Sequence, residues 1–182
     1  MKRFIVLLLL LFVMATGVFA MDMAIGAGAM YNNTTYSLTD EDGTWTWNAG
    51  GFGAFAFFGV SRFFEINLGY INKKDEWDLT MGALMIGVLG KYPFQITESV
   101  VLFPSLGVDF EYSLPKWEDM EEDQVWHEVW LRGGLGIDFF ATDNFFIRGH
   151  FNYGAGLVLG DNYDRYHLSH GLLAKVGIGW MF

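Results

Sequence analysis

Few residues in this chain could do covalent chemistry, and their spacing decides which to follow. His150 and Asn152 lie two apart in RGHFNYGAGL (148–157), and His167 and Ser169 lie two apart just downstream. A histidine, a serine and an acid brought together would make a hydrolytic triad. The position two after His150 holds Asn152, which is no nucleophile, and no glutamate stands beside His167 and Ser169. There are no cysteines, which excludes a thiol nucleophile, a thiolate metal site and a disulfide framework. Oxygen ligands cluster at Glu118–Asp123 and Asp161–Asp164, without the spacing of a calcium loop. No catalytic residue, cofactor or metal site is therefore expected, and the chain does not read as an enzyme. His127 and His170 are expected at a polar interface.

What remains is electrostatic chemistry at alternating positions. Glu65, Asp109, Glu111, Glu128 and Asp138 share one parity with Lys91, Arg132, Arg148 and Lys175, and His150 stands among them. Such an arrangement needs strands, because successive side chains on a strand point to opposite faces. Strand 62–72 sets Phe64, Ile66, Leu68 and Tyr70 against Glu65, Asn67 and Gly69. The same alternation is read over 22–36, 44–58, 77–92, 99–112, 124–140, 144–159 and 167–182, which makes eight strands, up and down. Short turns at 59–61, 94–98 and 141–143 alternate with longer loops at 38–43, 72–76, 113–123 and 160–166. Strand 44–58 carries GGFGAFAFF, where both faces are apolar or glycine and the parity of Phe55 and Phe57 stays open. Pro104 sits inside strand 99–112 and suggests a local bulge, since proline cannot donate to a ladder.

The fold class expected is all-β: an eight-stranded antiparallel up-and-down transmembrane barrel over 21–182. The composition agrees, with 52% hydrophobic and 18% aromatic residues, 23 Gly and 3 Pro. The outward set is Leu, Ile, Val and aromatics, where a soluble barrel would present its polar set to water. Tyr31, Phe64, Tyr92, Phe110, Tyr153 and Trp180 are placed as interfacial girdles. Ahead of the barrel, Lys2 and Arg3 precede an apolar run from Phe4 to about Val13, with small residues up to Ala20. That is the pattern of a cleavable signal peptide over 1–20, the alternative being an uncleaved helical anchor.

The charged parity faces the lumen of such a barrel. An unpaired charge there would cost several kcal/mol, so Glu65, Lys91, Asp109, Glu111, Glu128, Arg132, Asp138, Arg148, His150 and Lys175 are expected to form one lumen network. A plugged polar core, a narrow ion or water path, and a ligand or catalytic site are the three readings of that network. The formal charge of −10 argues against nucleic acid as a partner. Negative charge concentrates at 113–123, where Lys116 faces Glu118, Asp119, Glu121, Glu122 and Asp123. Loops of this kind invite a basic extracellular protein, or bridging by divalent cations to lipopolysaccharide-type headgroups.

FFEINLGY (63–70), the aromatic–glycine turns and KVGIGWMF (175–182) resemble the small eight-stranded outer-membrane proteins of the OmpX, OmpA-barrel and OmpW type. The resemblance covers 21–182. It implies integral residence in the bacterial outer membrane and a role in envelope integrity, adhesion, evasion of host defence or small-solute passage. It also implies that the closing strand, with Trp180 and Phe182, is the mark read by the barrel-assembly machinery. An OmpA-type anchoring role is not expected, since no peptidoglycan-binding domain follows. An OmpW-type hydrophobic channel would want an apolar lumen, against the inward charges. RGHFNYGAGL distantly resembles the His-x-Ser-Asn segment of the eight-stranded lipid A deacylases, with Asn152 in the serine position. The function expected is a structural or interaction barrel, with a narrow channel or transporter as the alternative and a lipid A hydrolase as the second.

Overall fold

The computed structural model describes residues 22–40, 43–78, 80–114, 127–159 and 167–182. The expected leader at 1–20 and the acidic runs at 115–126 and 160–166 lie outside the described residues. Among the described residues the strands are β1 (Ala24–Asp40), β2 (Gly43–Gly59), β3 (Phe64–Asp75), β4 (Thr80–Lys91), β5 (Phe94–Thr97), β6 (Val100–Leu114), β7 (His127–Phe140), β8 (Phe145–Leu159) and β9 (His167–Met181). All pair antiparallel with their neighbours, and β1 with β9 closes the sheet. β4 and β5 both pair with β6, so they are two pieces of one stave in a barrel of eight staves.

The register sets the size of the interior. Followed from partner to partner, the line leaving β3 at Phe64 passes Gly90, Leu106, Gly133, Tyr153, Leu172, Asn33 and Gly50. It meets β3 again at Lys74. A ten-residue stagger over eight staves tilts the strands by roughly 40° and leaves an interior just wide enough for side chains to fill.

Several boundaries differ from the sequence expectation. The segment 38–43 was expected as loop, yet β1 and β2 stay paired as far as Asp40 with Gly43. Thr34, Tyr36 and Trp47 favour extended backbone, and the Tyr36 and Trp47 rings stack with centroids 5.2 Å apart. The segment 72–76 is also largely strand: β3 runs to Asp75, because Lys73 continues the inward parity and finds a carboxylate in the lumen. The expected turn at 94–98 is strand through Thr97, and a register shift lies between Gln95 and Thr97.

Pro104 lies in regular β6, and the break falls on the facing stave instead. The Pro104 carbonyl accepts from the Tyr92 N–H at 3.0 Å, so its missing donor is on that same side, where β4 has ended at Lys91. Pro93 lies between β4 and β5, outside both strands. Neither proline removes a bond from a continuous ladder.

The parity of β2 is resolved by its partner. Phe55 and Phe57 face the lumen, while Phe52, Ala54, Ala56 and Phe58 face out. Phe57 pairs with Gly26 on β1, and its ring fills the space that a side chain at Gly26 would need. The same fit joins Phe146 to Gly179, Phe103 to Gly136 and Trp130 to Gly156 across neighbouring strands. Lumen glycines thus let large rings lie flat against the wall.

Outside, Leu68, Ile86, Leu106, Leu131, Phe151 and Val176 stand exposed as a continuous apolar belt. Phe64, Tyr92 and Trp180 edge it at the turn end, where chain reversals are short. Towards the loop end Tyr31 meets Phe52 at 5.0 Å and Phe110 meets His127 at 6.0 Å. Beyond Tyr31 the outward face of β1 turns polar, with Thr35 Oγ1 donating to Asn48 Oδ1 at 2.7 Å.

Candidate functional site in the barrel lumen

The lumen is built in layers, each drawn from several strands. Nearest the turn end, Arg148 on β8 donates from Nε to Asp138 Oδ1 at 2.6 Å and from Nη2 to Oδ2 at 2.7 Å. Its Nη1 donates to Glu65 on β3, which also accepts from Lys91 Nζ at 2.9 Å. The guanidinium carbon lies 4.4 Å from the centre of the Phe57 ring and 5.1 Å from those of Phe103 and Phe146. Two carboxylates and three ring faces hold one cation, an arrangement suited to arginine's planar charge.

A polar ring follows. His150 Nε2 lies 2.8 Å from Ser105 Oγ on β6, and Asn152 Nδ2 lies 3.3 Å from His150 Nδ1. Ser105 Oγ donates to Asn152 Oδ1 at 3.4 Å. An amide nitrogen only donates, so His150 Nδ1 accepts and Nε2 carries the hydrogen given to Ser105. This closed cycle makes Ser105 an acceptor from the imidazole, the reverse of what a nucleophile requires. Alongside, Lys175 Nζ donates to Asn67 Oδ1 at 3.2 Å and lies 5.4 Å from the Phe55 ring centre.

The layer nearest the loop end is anionic and aromatic. Arg132 Nη2 donates to Glu111 Oε1 at 2.7 Å, and its Nε sits 3.0 Å from Asp109 Oδ2, out of line for a hydrogen bond. Glu111 also takes Lys73 Nζ, which reaches Tyr36 Oη at 3.4 Å. Trp130 Nε1 donates to Glu128 Oε2 at 2.7 Å, and the Arg132 guanidinium lies 4.0 Å over the Trp130 ring.

All ten residues expected in the lumen face the interior, and the ion pairs join Glu65 with Lys91 and Arg148, and Asp109 and Glu111 with Arg132. Sequence reasoning missed Lys73, because NKKDE read as a loop. The odd-numbered parity of Glu65, Asn67 and Gly69, carried on through Ile71, would have found it. With Lys73 the interior holds five acids and five bases among the described residues. Ser169 is buried inward at the loop end, and the His167 side chain lies outside the described set. His127 and His170 face out: His127 stacks on Tyr112 at 4.5 Å, and His170 Nδ1 meets Tyr153 Oη at 2.9 Å. At the turn end a vestibule of about 570 Å3 opens onto Lys91, Phe103, Asp138 and Arg148.

No family model and no curated protein matches the sequence. Among solved structures, the outer membrane protein OprG from Pseudomonas aeruginosa superposes with a TM-score of 0.53 at 15% identity, covering 90% of this chain and 97% of that one. Neisserial surface protein A gives 0.51 at 12% identity, covering 88% and 97%. At such identities the likeness is one of fold. A closed barrel satisfies its backbone polar groups internally, and an apolar belt outside and salt-bridged polar groups inside are the surfaces of a membrane-spanning barrel. The architecture is that of the small eight-stranded β-barrels integral to bacterial outer membranes.

Proposed function

We propose that the lumen is closed by its own side chains and that the protein works through its outer surface and loop end, as a structural or interaction barrel in envelope integrity or adhesion. The observation that carries this reading is the Arg148 layer, where Glu65, Asp138, Lys91 and three phenylalanine rings cross the interior. Beyond it the side chains of Arg132, Trp130, Tyr36 and Met85 are also buried. Catalysis finds no support in the Ser105–His150–Asn152 cycle, and purified protein is expected to leave the acyl chains of lipid A intact.

The partners proposed are membrane lipids along the belt, the assembly machinery at Trp180 and Phe182, and a basic protein or cation-bridged headgroups at the acidic loops. The first 20 residues serve in this reading as the export signal. A narrow ion or water path is the second reading, favoured by the vestibule, whose wall includes Lys91 and Arg148. Conductance of the refolded mature protein in planar bilayers separates the two. No stepwise current is expected. Unitary steps altered by Arg132→Ala or Arg148→Ala would establish the path and overturn the closed lumen.

A further inference from the structure

The apolar face of the barrel is not equally tall all round. On β3 the outward apolar set runs from Phe64 to Tyr70 and then gives way to Asn72 and Lys74. On β8 it runs from Ile147 to Leu159, the end of the strand. At about 3.3 Å per residue and a tilt of about 40°, these sets are roughly 15 and 30 Å tall, against about 25 Å for the apolar band of an outer-membrane barrel. Allowing for the stagger, Phe64 and Ile147 start at nearly the same height, so the surplus of β8 lies at the loop end.

The register shows the step directly. Across β9 and β1, Leu168 stands opposite Ser37 and His170 opposite Thr35. Across β4 and β6, Leu114 stands opposite Gly82, which faces Asn72 on β3. Between these two seams, among the described residues, the outward face of β6 to β9 carries no charged, amide or serine side chain. Its polar atoms belong to two pairs, Tyr112 stacked on His127 and Tyr153 bonded to His170. Rings with one polar tip sit where apolar and aqueous surroundings meet, so these pairs place the membrane surface. Leu159 pairs with His127, Leu168 stands one pair beyond His170, and Leu157 faces Leu168 across β8 and β9. All three leucines are exposed. They form a ridge at and above the membrane surface, where acyl chains give out and exposed apolar area favours a protein partner.

The wall offers such a partner no charge to pair with. What matches an uncharged apolar wall is another of the same kind, and the membrane holds every copy upright at one depth. Two ridges can then meet at equal height about an axis normal to the membrane, as a two-fold contact requires. We infer that the ridge of Leu157, Leu159 and Leu168 is the contact face of a second copy, in an isologous dimer. The inference rests on the barrel's place in the membrane and holds whether the lumen is closed or open.

The chain has no cysteine, so single cysteines report contacts directly. Leu157→Cys, Leu159→Cys and Leu168→Cys, each refolded as mature protein into lipid vesicles and oxidised, are compared with Thr35→Cys and Lys74→Cys on the opposite flank. A disulfide-linked dimer is expected from at least one ridge variant and from neither of the others. Energy transfer between donor- and acceptor-labelled copies in the same vesicles gives the dissociation constant, which should rise on the order of tenfold in Leu157→Asn/Leu168→Asn. That double variant is expected to keep the heat-modifiable mobility and midpoint of the parent. If it fails to fold, the cysteine pattern still decides. No dimer at any protein-to-lipid ratio overturns the proposal, and so do equal disulfide yields on the two flanks, which mark random collision only. A double variant that folds with a clearly lower midpoint means that the chain covers the ridge with its own segments, and the proposal falls.

Discussion

Gly136 and Phe103 face each other across β6 and β7, and the ring lies where a Cβ on Gly136 would project. Gly136→Ala therefore pushes Phe103 off the wall and towards His150 and Arg148, its neighbours at 5.4 and 5.1 Å. Overpacking of this kind costs about 1–3 kcal/mol. The expected outcome is a lower midpoint in heat-modifiable gel mobility, with partial recovery in Gly136→Ala/Phe103→Leu. An unchanged midpoint would mean that the ring moves freely and that the glycines are not there to seat it. The charged lumen parity was legible because Glu65, Asp109 and Arg132 alternate with plainly apolar neighbours. The pairing of ring with glycine was not, because it joins residues on different strands, and strand partners do not appear in a linear pattern. The cycle of Ser105, His150 and Asn152 was hidden for the same reason: Ser105 comes from β6, 45 positions before the histidine it meets.

At the scale of elements, legibility followed contrast between the two faces. β3 and β6 alternate sharply and were read correctly in face. β2 has phenylalanine, alanine and glycine on both faces, so only its register with β1 decides that Phe55 and Phe57 turn inward. Strand ends were underestimated beyond Tyr36 on β1, where Asn33 and Thr35 have already turned the outward face polar, and at Lys74 on β3. There a strand leaving the membrane looks like a loop. β9 is the element proposed to carry the assembly mark. Trp180 and Phe182 are exposed, and the Phe182 N–H donates to the Met23 carbonyl at 2.9 Å. A ring exposed on the outside contributes little to packing, and Phe182→Ala keeps that backbone bond. The variant should refold in detergent with its midpoint within about 1 kcal/mol of the parent. In cells its folded fraction, read by heat-modifiable mobility in outer-membrane fractions, should fall several-fold. Equal assembly in cells would remove the recognition role.

At the scale of the whole molecule, the barrel turns polar chemistry inward and apolar surface outward, so the charge balance of the interior is a property of the fold rather than of any one pair. Among the described residues five acids meet five bases, yet the match is uneven along the axis: Glu128 makes no ion pair there and is held by the Trp130 N–H and the Tyr36 hydroxyl, while Lys175, further towards the turn end, makes none either. Lys73 is the base that tempers this imbalance at the loop end, where Glu111 and Glu128 lie in the same anionic, aromatic layer. Lys73→Met leaves that layer with surplus negative charge and should cost about 3–5 kcal/mol, the usual penalty for breaking a buried pair from one side. Adding Glu128→Gln removes the surplus charge, and the glutamine oxygen can still accept from Trp130 Nε1. The double variant should therefore be clearly more stable than Lys73→Met alone, although it carries one more substitution. Urea titrations of the three proteins in the same detergent test this directly. If the double variant is the least stable of the three, the layer is held by individual bonds and the balance of the interior is incidental.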